Sequence, residues 1–289
     1  MLREYMFFKE WEVLLVDDEP DIIQVSRLAM RRFEVYGLPL RLHSAKSKSE
    51  AMQIFKNSPS LQPAIAVAFI DVVMETDTAG LDLCQSLREE HGNRVTQLFV
   101  RTGQPGSAPE RTVLDRYDIN GYFTKVEATE DKLYSLVKSG VRQYLWNTAA
   151  LGTSQILSSA IAAGDSRTAL IEAARQTFLG FHFIGEAPAE SRAIQTGLFV
   201  GNELLGMRGL EQGEAQALLK RLNAREGKKI GADGDSYVQD GNTLMIKVQI
   251  GPPGGLTFVA HSTFAPPEPV VLLYHRALRG IAMILQRAK

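Results

Sequence analysis

Five polar residues stand at or just beyond the ends of short apolar runs, and together they have the makings of a phosphoryl-transfer site. Asp17 and Asp18 follow Val13-Leu14-Leu15-Val16, and Asp71 follows the run 65–70. Thr102 comes shortly after the run 97–100, and Lys125 shortly after the run 119–123. Three carboxylates held together call for a hard divalent cation such as Mg2+, which takes oxygen ligands and keeps positions open for water and phosphate. One carboxylate, Asp71, can then act as the nucleophile, with Lys125 as a second cation for the phosphoryl oxygens and Thr102 as their hydrogen-bond partner. Taken singly, each residue has a plainer explanation: Asp18 before Pro20 as a helix N-cap, Lys125 as a solvated lysine, Thr102 as a turn residue before Gly103. Their joint placement at consecutive strand ends is what argues for a site.

The elements that would position them are βα repeats. Apolar runs at 13–16, 40–45, 65–70, 97–100 and 119–123 alternate with helical patterns, as expected for five strands wound into a parallel sheet. Helix starts are signalled by Pro20 after Asp18-Glu19, by Ser47 or Ser49, by Gly80, and by Pro109 with Glu110. A flavodoxin-like fold follows, and ligands in such sheets bind outside the carboxyl ends of the strands. A fifth helix is expected from Glu127 to about Ala150, with Leu133, Leu136, Val137, Val141, Tyr144 and Leu145 on its apolar face.

The strings Val13-Leu14-Leu15-Val16-Asp17-Asp18-Glu19-Pro20, Phe69-Ile70-Asp71-Val72-Val73-Met74 and Thr124-Lys125 resemble the receiver (CheY-like) domains of bacterial response regulators. The resemblance covers about residues 11–147. It implies that Asp17 and Asp18 bind Mg2+, that the backbone carbonyl of Val73 completes the protein's ligands with Asp71, and that a sensor histidine kinase phosphorylates Asp71. Thr102 and Tyr122 would be the residues that rearrange to report the phosphoryl group. Val100-Arg101-Thr102-Gly103-Gln104-Pro105-Gly106, Ala108-Pro109-Glu110 and Asp118-Ile119-Asn120-Gly121-Tyr122 are similar to a receiver subgroup joined to a GAF-like domain, often ahead of an HD-GYP phosphodiesterase. Two positions depart from the family: no proline follows Asp71 closely, and Val126 stands where a proline usually follows the lysine.

The chain has 289 residues, a formal net charge of -1, 45% hydrophobic and 22% charged residues, values that fit two globular domains and give no general pull toward nucleic acid. We divide it into an extension (1–10), a receiver domain (11–147) and a second, α+β domain (148–289) that the resemblance implies is GAF-like. The single cysteine, Cys84, reads as a core residue in a reducing compartment. No signal sequence or membrane span is evident, so a cytoplasmic location is expected.

In the second half, extended segments are expected at 181–184, 194–200, 243–250 and 256–261, with a turn at 251–255. Helices are expected at 154–163, 168–178, 211–225 and 269–287. His182, His261 and His275 lack zinc-ligand spacing and there is no His-Asp pair or Gly-Tyr-Pro string, which argues against an HD-GYP activity; no separate catalytic domain is recognised, and an enzyme of another kind in this half is a third possibility. Lys220, Arg221, Arg225, Lys228 and Lys229 read as a solvated basic face, not a DNA-binding one. The apolar closing helix suits a homodimer or interdomain seam. The expected function is phosphorylation-controlled signalling to a downstream protein or small-molecule ligand. The alternatives are a constitutive scaffold or a small-molecule sensor.

Overall fold

The computed structural model describes residues 10–59, 61–103, 110–162, 168, 171, 195–230, 234–249, 255–262, 265–266 and 268–287. Two compact units emerge, one of residues Lys9–Leu145 and the other including Trp146–Lys289.

The first unit is built on β1 (Trp11–Val16), β2 (Glu34–Val35), β3 (Leu38–Ala45), β4 (Ile65–Asp71), β5 (Gln97–Thr102) and β6 (Gly121–Thr124). Their order is β2-β3-β1-β4-β5-β6, with β2 antiparallel to β3 and every other pairing parallel. The five parallel strands therefore run 2-1-3-4-5, the flavodoxin-like order. The short β2 is an addition to the five strands expected, and β6 begins at Gly121, two residues later than the apolar pattern suggested. Strand β4 is buried along its whole length, as a central parallel strand covered on both faces must be.

Helices α1 (Pro20–Met30), α2 (Lys48–Asn57), α3 (Leu61–Ala64), α4 (Ala79–Gln85), α5 (Glu110–Tyr117) and α6 (Glu130–Ala162) complete the unit and lead out of it. Pro20 opens α1, and the Ser47 hydroxyl caps α2 by accepting from the Glu50 amide at 3.0 Å. Cys84 is fully buried in α4, and burial pushes its thiol up to about 12. On α6, Leu133, Val137, Val141, Tyr144 and Leu145 are buried, and the Tyr144 hydroxyl donates to the Pro63 carbonyl at 3.0 Å. The break expected near Gly152 does not occur: α6 is one helix of 33 residues. A single glycine costs a helix only about 1 kcal/mol relative to alanine, too little to end it.

The second unit holds an antiparallel sheet of β7 (Gln195–Val200), β8 (Glu203–Arg208), β9 (Lys228–Lys229), β10 (Ser236–Asp240), β11 (Thr243–Val248) and β12 (Leu256–His261), ordered β8-β7-β12-β11-β10-β9. Helices Gln212–Asn223 and Glu268–Arg287 accompany it, close to the ranges expected. Strands β8, β9 and β10 were not anticipated. Buried Asp235 accepts from His275 Nε2 at 2.6 Å, Arg279 Nη1 at 2.5 Å and the Gln249 amide at 2.8 Å, tying the closing helix to the sheet. The expected strand 181–184 with His182, most of the expected helix 168–178 and most of the turn 251–255 lie outside the described residues. Among the described residues, no helix is long and apolar enough to cross a membrane.

Candidate functional site: an acidic pocket at the strand ends

The pocket is built by register. Parallel pairing of β1 with β4, and of β4 with β5, brings Asp17 and Asp71 to the same edge of the sheet, where the Asp17 amide donates to the Ala45 carbonyl and the Val72 amide to the Arg101 carbonyl. Asp17 and Asp71 are buried, whereas Asp18 and Glu19 are exposed. The four carboxylates each offer an oxygen within 4.8 Å of the others.

Lys125 is the hub. Its Nζ lies 2.8 Å from Asp71 Oδ2, 2.6 Å from Glu19 Oε1 and 3.2 Å from Asp17 Oδ2. Burial alone would depress its pKa, but the hydrogen bonds to Asp71 and Glu19 and the surrounding negative charge raise it above the ordinary lysine value, so it stays a cation. The same bond holds Glu19 below the usual carboxylate range. Asp71 goes the other way: burial pushes its pKa up to about 6, opposed by the bond from Lys125 and reinforced by the charge of Asp17.

Asp71 Oδ2 is engaged by Lys125, while Oδ1 is buried and has no hydrogen-bond partner among the described residues. That asymmetry leaves one carboxylate oxygen unengaged for attack on an electrophile. Asp17 Oδ1 accepts from the Glu19 amide at 2.9 Å, and its buried Oδ2 has cations on two sides without an aligned hydrogen bond. An all-oxygen set with orphaned buried oxygens fits a hard divalent cation.

Of the other residues singled out from the sequence, Thr102 is fully buried at the end of β5, its backbone in register with Thr124 of β6. Tyr122 lies on β6 in register with Val100, half-buried against the main apolar cluster. Val73 is half-buried in the segment between β4 and α4. Val126 is 90% exposed in a single 3-10 turn, Lys125–Glu127, closed by a capping box between Thr124 and Glu127. Gln104, Pro105, Gly106, Ala108 and Pro109, part of the resemblance, lie outside the described residues.

Two members of the pocket were not singled out: Glu19, and Arg101. Arg101 is fully buried, its Nη2 3.1 Å from Asp17 Oδ2 and its Nη1 donating to Ser26 Oγ at 3.0 Å. Burial lowers its pKa and the carboxylates of Asp17 and Asp71 act against that shift. Its signal in the sequence is a charged residue inside an otherwise apolar strand, Leu98-Phe99-Val100-Arg101.

Elsewhere, His261 Nδ1 faces Thr243 Oγ1 at 3.0 Å and His275 is bonded to Asp235, so the two described histidines of this half are held by different partners. In the basic stretch, Arg225 pairs with Asp240 at 2.8 Å and Lys228 sits over the Tyr237 ring.

The parallel 2-1-3-4-5 sheet with acidic residues at its carboxyl edge gives the first unit the fold of receiver (CheY-like) domains, and an α+β unit follows it. No family model matches the chain. A 134-residue stretch is 45% identical to part of the 3'3'-cGAMP-specific phosphodiesterase 2 of Vibrio cholerae; it makes up 46% of this chain, and the chain spans a quarter of that relative's length (25%). Similar solved structures include the signal receiver domain of an HD domain-containing protein from Pseudomonas fluorescens Pf-5, at 18% identity and TM-score 0.39, covering 47% of this chain and 97% of that one. The receiver domain of the Francisella response regulator 1452 gives 21% identity and TM-score 0.37, covering 46% and 97%. The Mn(2+)-bound response regulator Rcp1 gives 14% identity and TM-score 0.35, covering 44% and 89%.

Proposed function

We propose that the chain is a two-component response regulator whose Asp71 accepts a phosphoryl group, with Mg2+ as cofactor and a sensor histidine kinase as donor. The observation that carries this is Asp71 itself: a buried carboxylate at the end of the central strand, one oxygen bonded to Lys125, the other without a hydrogen-bond partner among the described residues, beside Asp17 and Asp18. In the reaction, Asp71 Oδ1 attacks the phosphorus, the P–O or P–N bond to the donor breaks with its electron pair leaving on the donor, and an acyl phosphate forms. Lys125, already a cation, neutralises a phosphoryl oxygen, and Thr102 supplies a hydroxyl at the neighbouring strand end. When bound by Asp17, Asp18, Asp71 and the Val73 carbonyl, Mg2+ supplies charge neutralisation for the remaining phosphoryl oxygens.

The output is the reshaping of contacts made by the second unit, read as a GAF-like module acting in a cytoplasmic homodimer on a downstream protein or small molecule, with Thr102 and Tyr122 reporting the phosphoryl group. The chain itself is read as regulatory, without a catalytic domain of its own. The Vibrio relative suggests a setting in cyclic-dinucleotide signalling, since the shared stretch is a quarter of a phosphodiesterase for 3'3'-cGAMP.

Intact mass and solution size, measured before and after a small phosphodonor with Mg2+, test this with Asp71→Asn as control. One added phosphoryl group, lost in the variant and accompanied by a change in size, is the expected result. Labelling that persists in Asp71→Asn removes Asp71 from the role, and no labelling of the wild type favours a constitutive scaffold.

A further inference from the structure

We propose that Arg101 is a built-in counter-ion of the acidic pocket that sets how strongly its carboxylates attract a divalent cation. This rests on the reading of Asp17, Asp18 and Asp71 as the cation site, and deepens it.

Arg101 occupies a position where the strand otherwise asks for an apolar side chain. Its neighbours Leu98, Phe99 and Val100 are buried, and so is the guanidinium, with no exposed surface. Taking such a charge out of water is unfavourable unless a fixed partner answers it. Two partners do: Ser26 Oγ on α1 holds Nη1 at 3.0 Å, and Asp17 Oδ2 lies 3.1 Å from Nη2. Lys125 approaches the same Asp17 oxygen at 3.2 Å. Asp17 is therefore flanked by two cations that differ in kind. Lys125 is reached from solvent, is shared with Glu19 and Asp71, and can exchange partners; Arg101 is sealed in and cannot leave.

The charge count gives the consequence. Asp17, Asp18, Glu19 and Asp71 bring four negative charges against the two positive charges of Arg101 and Lys125, a formal balance of two negative charges that one divalent ion would cancel. Without Arg101 the balance would be three. A buried charge acts through low dielectric and is poorly screened by salt, so its removal is felt by a cation at the pocket even though the carboxylate that Arg101 meets at 3.1 Å is that of Asp17. Arg101 thus weakens cation binding and, in exchange, keeps buried Asp17 partnered when no cation is bound. It is a positioning residue and does not itself meet the phosphoryl group.

The test is Mn2+ binding to the full chain, read from the electron paramagnetic resonance signal of free Mn2+ and repeated with Mg2+ in competition. Wild type, Arg101→Gln, Arg101→Leu and Arg101→Lys are compared, with folding checked by circular dichroism. The neutral variants are expected to bind Mn2+ tighter by about tenfold or more, with Arg101→Lys returning toward wild type. Arg101→Gln keeps polar atoms for Ser26 and Asp17, so it carries the test if Arg101→Leu fails to fold. A leucine variant that folds only with Mn2+ present supports the proposal, as does binding by the neutral variants where wild type shows none. Unchanged or weaker binding in the glutamine variant, a lysine variant that binds as tightly as the glutamine one, or no binding in any form overturns it. Failure of the proposed phosphoryl chemistry reads differently: Asp71 stays unlabelled while Mn2+ binding still responds to position 101.

Discussion

Asp71 is the buried carboxylate on which the proposed chemistry turns. Burial raises its pKa to about 6 against the opposing bond from Lys125, so the folded protein holds this proton over a range, roughly pH 4 to 6, where the unfolded chain has released it. The stability this contributes is present below the unfolded value and is lost as pH rises through about 6; a two-unit shift corresponds to about 3 kcal/mol at most. Asp71→Asn has no such proton to lose. In metal-free buffer the variant should therefore be the more stable protein near neutral pH, by about 1–3 kcal/mol, with the gap closing toward about pH 4. Denaturant titrations at three pH values measure this, and a gap that stays constant with pH would contradict the placement of Asp71.

Asp17, Asp18, Asp71 and Lys125 were legible from sequence because each follows an apolar run whose end is a strand end. Arg101 was not, because a charge after Leu98-Phe99-Val100 reads as the close of a strand, whereas β5 continues through it to Thr102. The Asp17 carboxylate and the Ser26 hydroxyl, both distant in sequence, explain how a guanidinium can be sealed at that point.

At the scale of elements, the pocket depends on how closely α4 returns to β4. The Gly80 amide donates to the Val72 carbonyl at 3.1 Å, and a Cβ on Gly80 would lie 1.7 Å from the Asp71 carbonyl oxygen. Gly80→Ala must push backbone against backbone, so it should destabilise the fold by about 2 kcal/mol or more and sharply reduce labelling of Asp71. Wild-type stability and labelling in this variant would show that α4 does not press on Asp71. The same helix encloses Cys84, which should react with a thiol reagent only on unfolding, at the rate of the unfolding step itself; rapid reaction of native protein would contradict its burial.

Strands β8 and β10 have a signal in the sequence at their turns. Gly201-Asn202 and Gly241-Asn242 each form a two-residue loop between paired strands, with Val200 opposite Glu203 and Asp240 opposite Thr243, and both glycines have φ of 57°. β8 was obscured by its exposed glutamate and the glycine at 206, β10 by its shortness and the aspartate at its end. In α6 the difference runs the other way: the helix continues through Gly152, because one glycine is too weak to end it.

At the scale of the whole molecule, the chain is two units, each with its own sheet, and the boundary between them falls within α6. Chain length and the change from βα repeats to a mixed pattern point, in the sequence, to two domains. The chemistry is concentrated in the first unit: among the described residues, the pocket of Asp17, Asp18, Glu19 and Asp71 is where side chains gather to hold a cation. Among its described residues the second unit holds no comparable cluster, and a phosphorylation-dependent solution size would test the proposed response of that unit.

The central claim, that Asp71 becomes an acyl phosphate, can be read at the bond itself. Protein treated with a small phosphodonor and Mg2+ is reduced with borohydride, which converts an acyl phosphate to a primary alcohol and leaves free carboxylates untouched, and the peptides are then sequenced by mass spectrometry. Homoserine at position 71 alone, dependent on Mg2+ and on phosphodonor, is the predicted result. An unmodified Asp71, or homoserine at another aspartate, would contradict it.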